Sequence, residues 1–167
     1  MSETPISASS DAAVELDEID RKILRLLQEN GRMTNAALAE AVGLTATPML
    51  QRIKKLEQRG VIAGYVAVLN ARAVGRGTMA FVHVKQAEHK LATHKRFLQA
   101  IAAYPEVIEC HHIAGDEDFL LKVVVRSIEE YEKFLLHRLT KIPGIDRVKT
   151  TFVLSTAKSE TAIPIDE

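Results

Sequence analysis

The densest chemistry in this 167-residue chain is Gly115-Asp116-Glu117-Asp118, three carboxylates in a segment built to turn. Carboxylates so placed pair with an ammonium group or hold a cation, and Gly and Asp are equally at home in a plain solvated β-turn. A second candidate is a polar helix face. At ~100° per residue, Met49, Ile53 and Leu56 fall on one side of a helix, and Thr47, Gln51, Lys54, Lys55 and Gln58 fall opposite, with Pro48 and Arg52 at the flanks. Gln suits adenine, Lys and Arg suit guanine or phosphate, and Thr serves either. The same face also fits the solvated side of an ordinary helical bundle. The histidines promise less. His111 and His112 are adjacent in an extended segment and point to opposite faces, and His89 and His94 are five apart, a poor spacing for a shared metal. Cys110 is the sole cysteine, so no internal disulfide can form, and packing is its expected role. There is no Gly-rich phosphate loop and no nucleophile elbow. Neither an enzyme nor a metal site is therefore expected, and no cofactor.

Helices and strands must position these groups. Residues 1–14 read as a mobile tail. Asp17 caps a first helix with Glu18 and Asp20 in its first turn, and Ile19, Ile23, Leu26 and Leu27 form its apolar stripe up to Asn30-Gly31. Thr34 caps a short second helix carrying Ala37, Leu38 and Ala41, which Gly43 breaks. Thr45 caps a third, running to about Arg59, with Pro48 harmless in its first turn. Three short helices with a tight break before the third fit a helix-turn-helix.

After Gly60 the pattern changes. Residues 61–69 read as extended, and turn-formers Asn70, Gly75 and Gly77 mark a boundary. The remainder reads strand 79–85, helix 90–103 (Leu91, Phe97, Leu98 and Ile101 inward), strands 107–113 and 119–125, helix from the capping box Ser127-Ile128-Glu129-Glu130, and strand 146–154. That order predicts a ferredoxin-like βαββαβ sandwich, an α+β architecture. The expected domains are 15–62 for the helix-turn-helix, 63–78 for a linker, 79–157 for the sandwich and 158–167 for a loose tail.

Charge is balanced, 22 basic against 22 acidic residues, which argues against a protein that coats nucleic acid or membrane by bulk electrostatics. The third helix differs. Between Ala46 and Gly60, Arg52, Lys54, Lys55 and Arg59 face only Glu57, a local +3. A small basic face depends on base contacts and paired half-sites. No window is long and apolar enough for a membrane span and no signal peptide is evident, so a cytoplasmic protein with no membrane partner is expected.

Leu16-Asp17-Glu18-Ile19-Asp20-Arg21-Lys22-Ile23-Leu24 resembles the opening of the Lrp/AsnC (leucine-responsive, feast/famine) transcriptional regulators. So do Gly43-Leu44-Thr45-Ala46-Thr47-Pro48, Arg52-Ile53-Lys54-Lys55-Leu56-Glu57 and, later, His112 through Lys122 and Ile142-Pro143-Gly144-Ile145. The likeness spans residues 16–157 in order. It implies a bacterial or archaeal type of regulator, with an N-terminal winged helix-turn-helix and a C-terminal domain that dimerises and binds an effector. Assembly into octamers or larger rings is implied too. The DNA-reading helix maps onto residues 45–59. Thr45, Thr47, Pro48, Gln51, Arg52, Lys54 and Lys55 are the expected contacts to a pseudo-palindromic double-stranded operator. Arg52 also has the option of an internal salt bridge. An amino-acid effector is expected at Gly115, Asp116 and Asp118, where a carboxylate places its ammonium. Ala114 stands where Ser or Thr is common in the family. The sequence leaves open the effector's identity, the target genes and the direction of regulation.

Overall fold

The computed structural model describes residues 14–88 and 90–166. The expected N-terminal tail, Val14 excepted, and His89 lie outside the described residues. The chain divides into two compact units, one running to Ala67 and including Ser159–Glu167, the other Val68–Lys158.

The head unit holds α1 (Glu18–Glu29), α2 (Asn35–Val42) and α3 (Ala46–Gln58). Local chemistry sets two starts as the sequence suggests: the Asp17 carboxylate accepts from the Asp20 N–H at 2.8 Å, and the Thr34 hydroxyl from the Ala37 N–H at 3.2 Å. Thr45 departs from expectation. It occupies the cap position of α3 with extended backbone, but its hydroxyl makes no capping bond. Ile23, Leu24, Leu38, Ala39, Met49, Ile53 and Leu56 form the buried core, so the second helix turns Ala39 inward where the sequence suggested Ala41. The segment after α3 pairs with no strand among the described residues. Tyr65 is pinned beside α3 by donating to Glu57 Oε1 at 3.2 Å.

The sheet unit has four antiparallel strands, β1 (Thr78–Gln86), β2 (Val107–His112), β3 (Phe119–Val125) and β4 (Ile145–Phe152), in the order β2-β3-β1-β4. With α4 (Leu91–Ala102) and α5 (Ile128–His137) this is the ferredoxin-like order. Ala80, Val82, Val84, Phe119, Leu121 and Val123 alternate inward under Phe97, Ile101, Tyr131 and Phe134. Leu91 and Leu98, expected inward, are instead 68% and 38% exposed; α4 buries only its Phe97–Ile101 stripe. The capping box of α5 is shifted. Ser127 accepts from the Glu130 N–H at 3.2 Å, but the Glu130 carboxylate returns to the Arg126 N–H at 2.6 Å. Gly144 has φ +91°, and a Cβ there would overlap the Thr93 methyl, so the turn into β4 requires glycine.

The opposite face of the sheet carries Met79, Phe81, His83 and Lys85 of β1, half-buried, beside Leu120 and Lys122 of β3. No helix of the described residues is long and apolar enough to cross a membrane.

Candidate nucleic-acid interface and ligand turn

The sequence places four cations on or beside α3, and the structure separates them into two kinds. Arg52 lies between helices: its Nη1 is 2.6 Å from Asp17 Oδ2 and 2.7 Å from Asp20 Oδ1. Asp20 is buried, and the Arg52 side chain is 30% exposed. The pairing raises the guanidinium pKa further, and the Asp20 N–H together with Arg52 holds the Asp17 carboxyl below its ordinary value. Arg59 Nη1 donates to the Glu15 carbonyl at 3.2 Å. These two arginines tie α3 and the residue after it to the start of α1 and the residues before it. Lys54 and Lys55 are exposed and held by no ion pair among the described residues. With them on the exposed side are Thr47, Gln51 and Gln58, while Thr45 lies exposed at the cap and Pro48 is half-buried. Leu50, which the sequence reading passes over, is 40% exposed in the same helix. Arg52, expected among the DNA contacts, is thus already engaged within the head.

The carboxylate turn is braced from several sides. Asp118 is not a bare carboxylate: its Oδ2 accepts from the Gln86 N–H at 2.7 Å, its own N–H donates to the Val84 carbonyl at 3.0 Å, and its carbonyl accepts from Ile113 N–H at 2.9 Å. Glu117 pairs with Arg147 at 2.8 Å. Lys85 Nζ donates to the Asp116 carbonyl. Asp116 itself is exposed, with no hydrogen bond to its carboxylate among the described residues. Gly115 has φ +157°, a conformation L side chains rarely adopt, and open space where a Cβ would sit. No backbone carbonyl among the described residues accepts from the N–H of Gly115, Asp116 or Glu117. The turn therefore offers one exposed carboxylate beside N–H groups that no backbone carbonyl of the described residues takes up, the two polarities an amino acid's ammonium and carboxylate need.

Sequence spacing gave no hint of the aromatic group beside this turn. His94 of α4 meets His112 of β2 at 5.1 Å between ring centroids, and both rings stack near Phe119, at 5.1 and 5.2 Å. His111 points to the other face and reaches Glu109 at 3.3 Å, as strand alternation requires. Among the described residues no group of three metal-ligating side chains forms. Gln86 is buried, and its Nε2 has no hydrogen-bond partner among the described residues. Burial pushes the Cys110 thiol up to about 11, away from the thiolate that nucleophilic chemistry requires.

Comparison with known proteins matches both units. Residues 16–63 match a winged helix-turn-helix DNA-binding model, and residues 79–163 match the Lrp/AsnC ligand binding domain. The leucine-responsive regulatory protein of Rhizobium meliloti is 41% identical, covering 91% of this chain and 97% of its own length. The DNA-binding transcriptional activator DecR of Escherichia coli is 38% identical, covering 90% and 99%. Among solved structures, the transcriptional regulator NMB0573 of Neisseria meningitidis in complex with L-Met has a TM-score of 0.85 at 35% identity, covering 90% of this chain and 97% of that one. An AsnC family regulator from Agrobacterium tumefaciens has a TM-score of 0.83 at 40% identity, covering 89% and 97%.

Proposed function

The chain belongs to the Lrp/AsnC family of DNA-binding transcriptional regulators, and from that premise we propose how its own residues divide the work. Thr45, Thr47, Pro48, Gln51, Lys54 and Lys55 make the DNA contacts, and Arg52 positions them by locking α3 to α1. The observation that carries this division is the contrast within one helix. Arg52 is spent on Asp17 and Asp20, while Lys54 and Lys55 stand exposed on the side away from the core. One recognition helix reads one half-site, so the operator is pseudo-palindromic and the reading unit a homodimer. Binding of the chain's own upstream DNA at low salt, across a panel of amino acids, tests the reading; no binding under any of them overturns it.

The half-apolar open face of the sheet supports the dimer. A sheet buries an apolar face against a second layer, and α4 and α5 supply only one. Leu120→Asp puts a charge on that face. The expected result by light scattering is monomers at concentrations where the parent chain is dimeric or larger, in octamers or rings.

The effector is an amino acid, held at the 115–118 turn. Support comes from the exposed Asp116 carboxylate beside N–H groups not bonded to backbone carbonyls among the described residues, and from the L-Met bound by the Neisseria relative. In this assignment Asp116 meets the ammonium, Gly115 allows close backbone approach, and Asp118 sets the shape of the turn through Gln86. No cofactor takes part. A thermal-shift screen of the common amino acids identifies the effector, since a ligand of the native state raises apparent stability. Asp116→Ala is then expected to weaken that ligand by about 10- to 100-fold, the cost of one charge-assisted hydrogen bond. An unchanged dose response removes Asp116 from the site.

A further inference from the structure

Strand β4 ends at Phe152 within the sheet unit, yet the end of the chain, Ser159–Glu167, groups with the head. The sequence leaves residues 158–167 as a loose tail; within it, residues 161–165 make defined contacts with the head. Gln28, near the end of α1, makes a reciprocal pair with one residue of the tail. Its Nε2 donates to the Ile163 carbonyl at 3.0 Å, and its Oε1 accepts from the Ile163 N–H at 2.6 Å. An amide side chain used this way stands in for a neighbouring strand, meeting both backbone groups of one residue. Ile163 is held chiefly by its backbone, the residue being 73% exposed. Ile165 holds by its side chain, packed against the head core. Pro164 between them fixes the backbone and has no N–H to leave unpaired. Thr161, Ile163 and Ile165 also form one wall of a pocket of about 480 Å³, which Leu24, Leu27 and Ile62 of the head line with them. None of the DNA-reading residues named above lines it.

We propose that residues 161–165 are a strap that joins the DNA-reading head to the sheet unit a second time. The head is then tethered through residues 63–77 and again through residues 153–160. A head on one linker must be oriented anew at each binding event, whereas a head tied at two points has part of that freedom removed beforehand. The advantage appears only when two heads must engage at once, so this inference rests on the paired-half-site reading. None of the α3 reading residues takes part in this docking, so the strap leaves them open to DNA.

Two variants test it, a chain ending at Lys158 and Gln28→Ala with Ile165→Asp. The first readout needs no DNA. Hydrogen exchange at residues 61–65 is expected to quicken in both variants; unchanged protection overturns the docking. The second uses an operator selected from random-sequence DNA by the full chain, and the same duplex with one half scrambled. Both variants are expected to lose roughly 10-fold on the paired operator and less than about 2-fold on the single half-site. Equal loss on both duplexes overturns the tether, because a strap that only stabilised the head would weaken every contact alike. Selection that returns no paired sites defeats the dimeric reading instead, and the exchange measurement still decides whether the strap docks.

Discussion

Replacing Lys54 and Lys55 together with alanine is expected to lower DNA affinity about 10- to 100-fold near physiological salt, and to reduce the salt dependence by about two ion contacts per head. The reasoning starts from the charge count. A formally neutral chain has no bulk field to draw it to DNA, and of the cations on or beside α3, Arg52 is ion-paired inside the head and Arg59 bonds the Glu15 carbonyl. That leaves the two lysines as the main cations on the exposed side of the helix. Neither is buried and neither belongs to an ion pair among the described residues, so their removal takes nothing from the fold. The measurement is therefore paired. Thermal unfolding should be unchanged while fluorescence-anisotropy titrations at several salt concentrations show weaker binding and a shallower slope. Affinity and slope that stay at parental values would move the DNA contact off this face altogether.

Much of this was legible in the residues, and the exceptions share a cause. Caps and breakers act within one turn, so Asp17 and Thr34 announced their helices, and alternation placed His111 and His112 on opposite faces. The order of strands and helices was enough for the sandwich, because βαββαβ connectivity leaves few ways to pair. What failed to show were contacts between residues far apart in sequence. Gln86 bracing Asp118 spans 32 positions, and Gln28 seating Ile163 spans 135. The pairing of His94 with His112 needs α4 laid across β2, which no local pattern states. Leu91 and Leu98 were misplaced because periodicity names a stripe without saying how wide the covering surface is. Within the carboxylate turn, composition alone could not tell the braced Asp118 and Glu117 from the exposed Asp116.

Arg52→Ala is expected to destabilise the head by about 2–3 kcal/mol, less than the loss of a fully buried pair because the guanidinium keeps some contact with water. Two charge-assisted bonds disappear at once, and the buried Asp20 is left without its cation. The pH dependence follows from Asp17. Its folded pKa is depressed, first by the Asp20 N–H and then by Arg52, below the ordinary 3.8. A group depressed in this way contributes stability above its ordinary pKa and loses that contribution as pH falls through the folded value. The parent head should therefore weaken in acid from about pH 4 downward, and Arg52→Ala should start lower at neutral pH and weaken less steeply. DNA binding falls too, through a loosened α3. Arg52→Lys separates this from direct contact. An ammonium still neutralises a phosphate, but it lacks the planar fork that reaches Asp17 and Asp20 together. Recovery of DNA affinity in Arg52→Lys with stability still lost would assign Arg52 to the DNA. Loss of both assigns it to the joint between α1 and α3, which is the outcome the geometry favours.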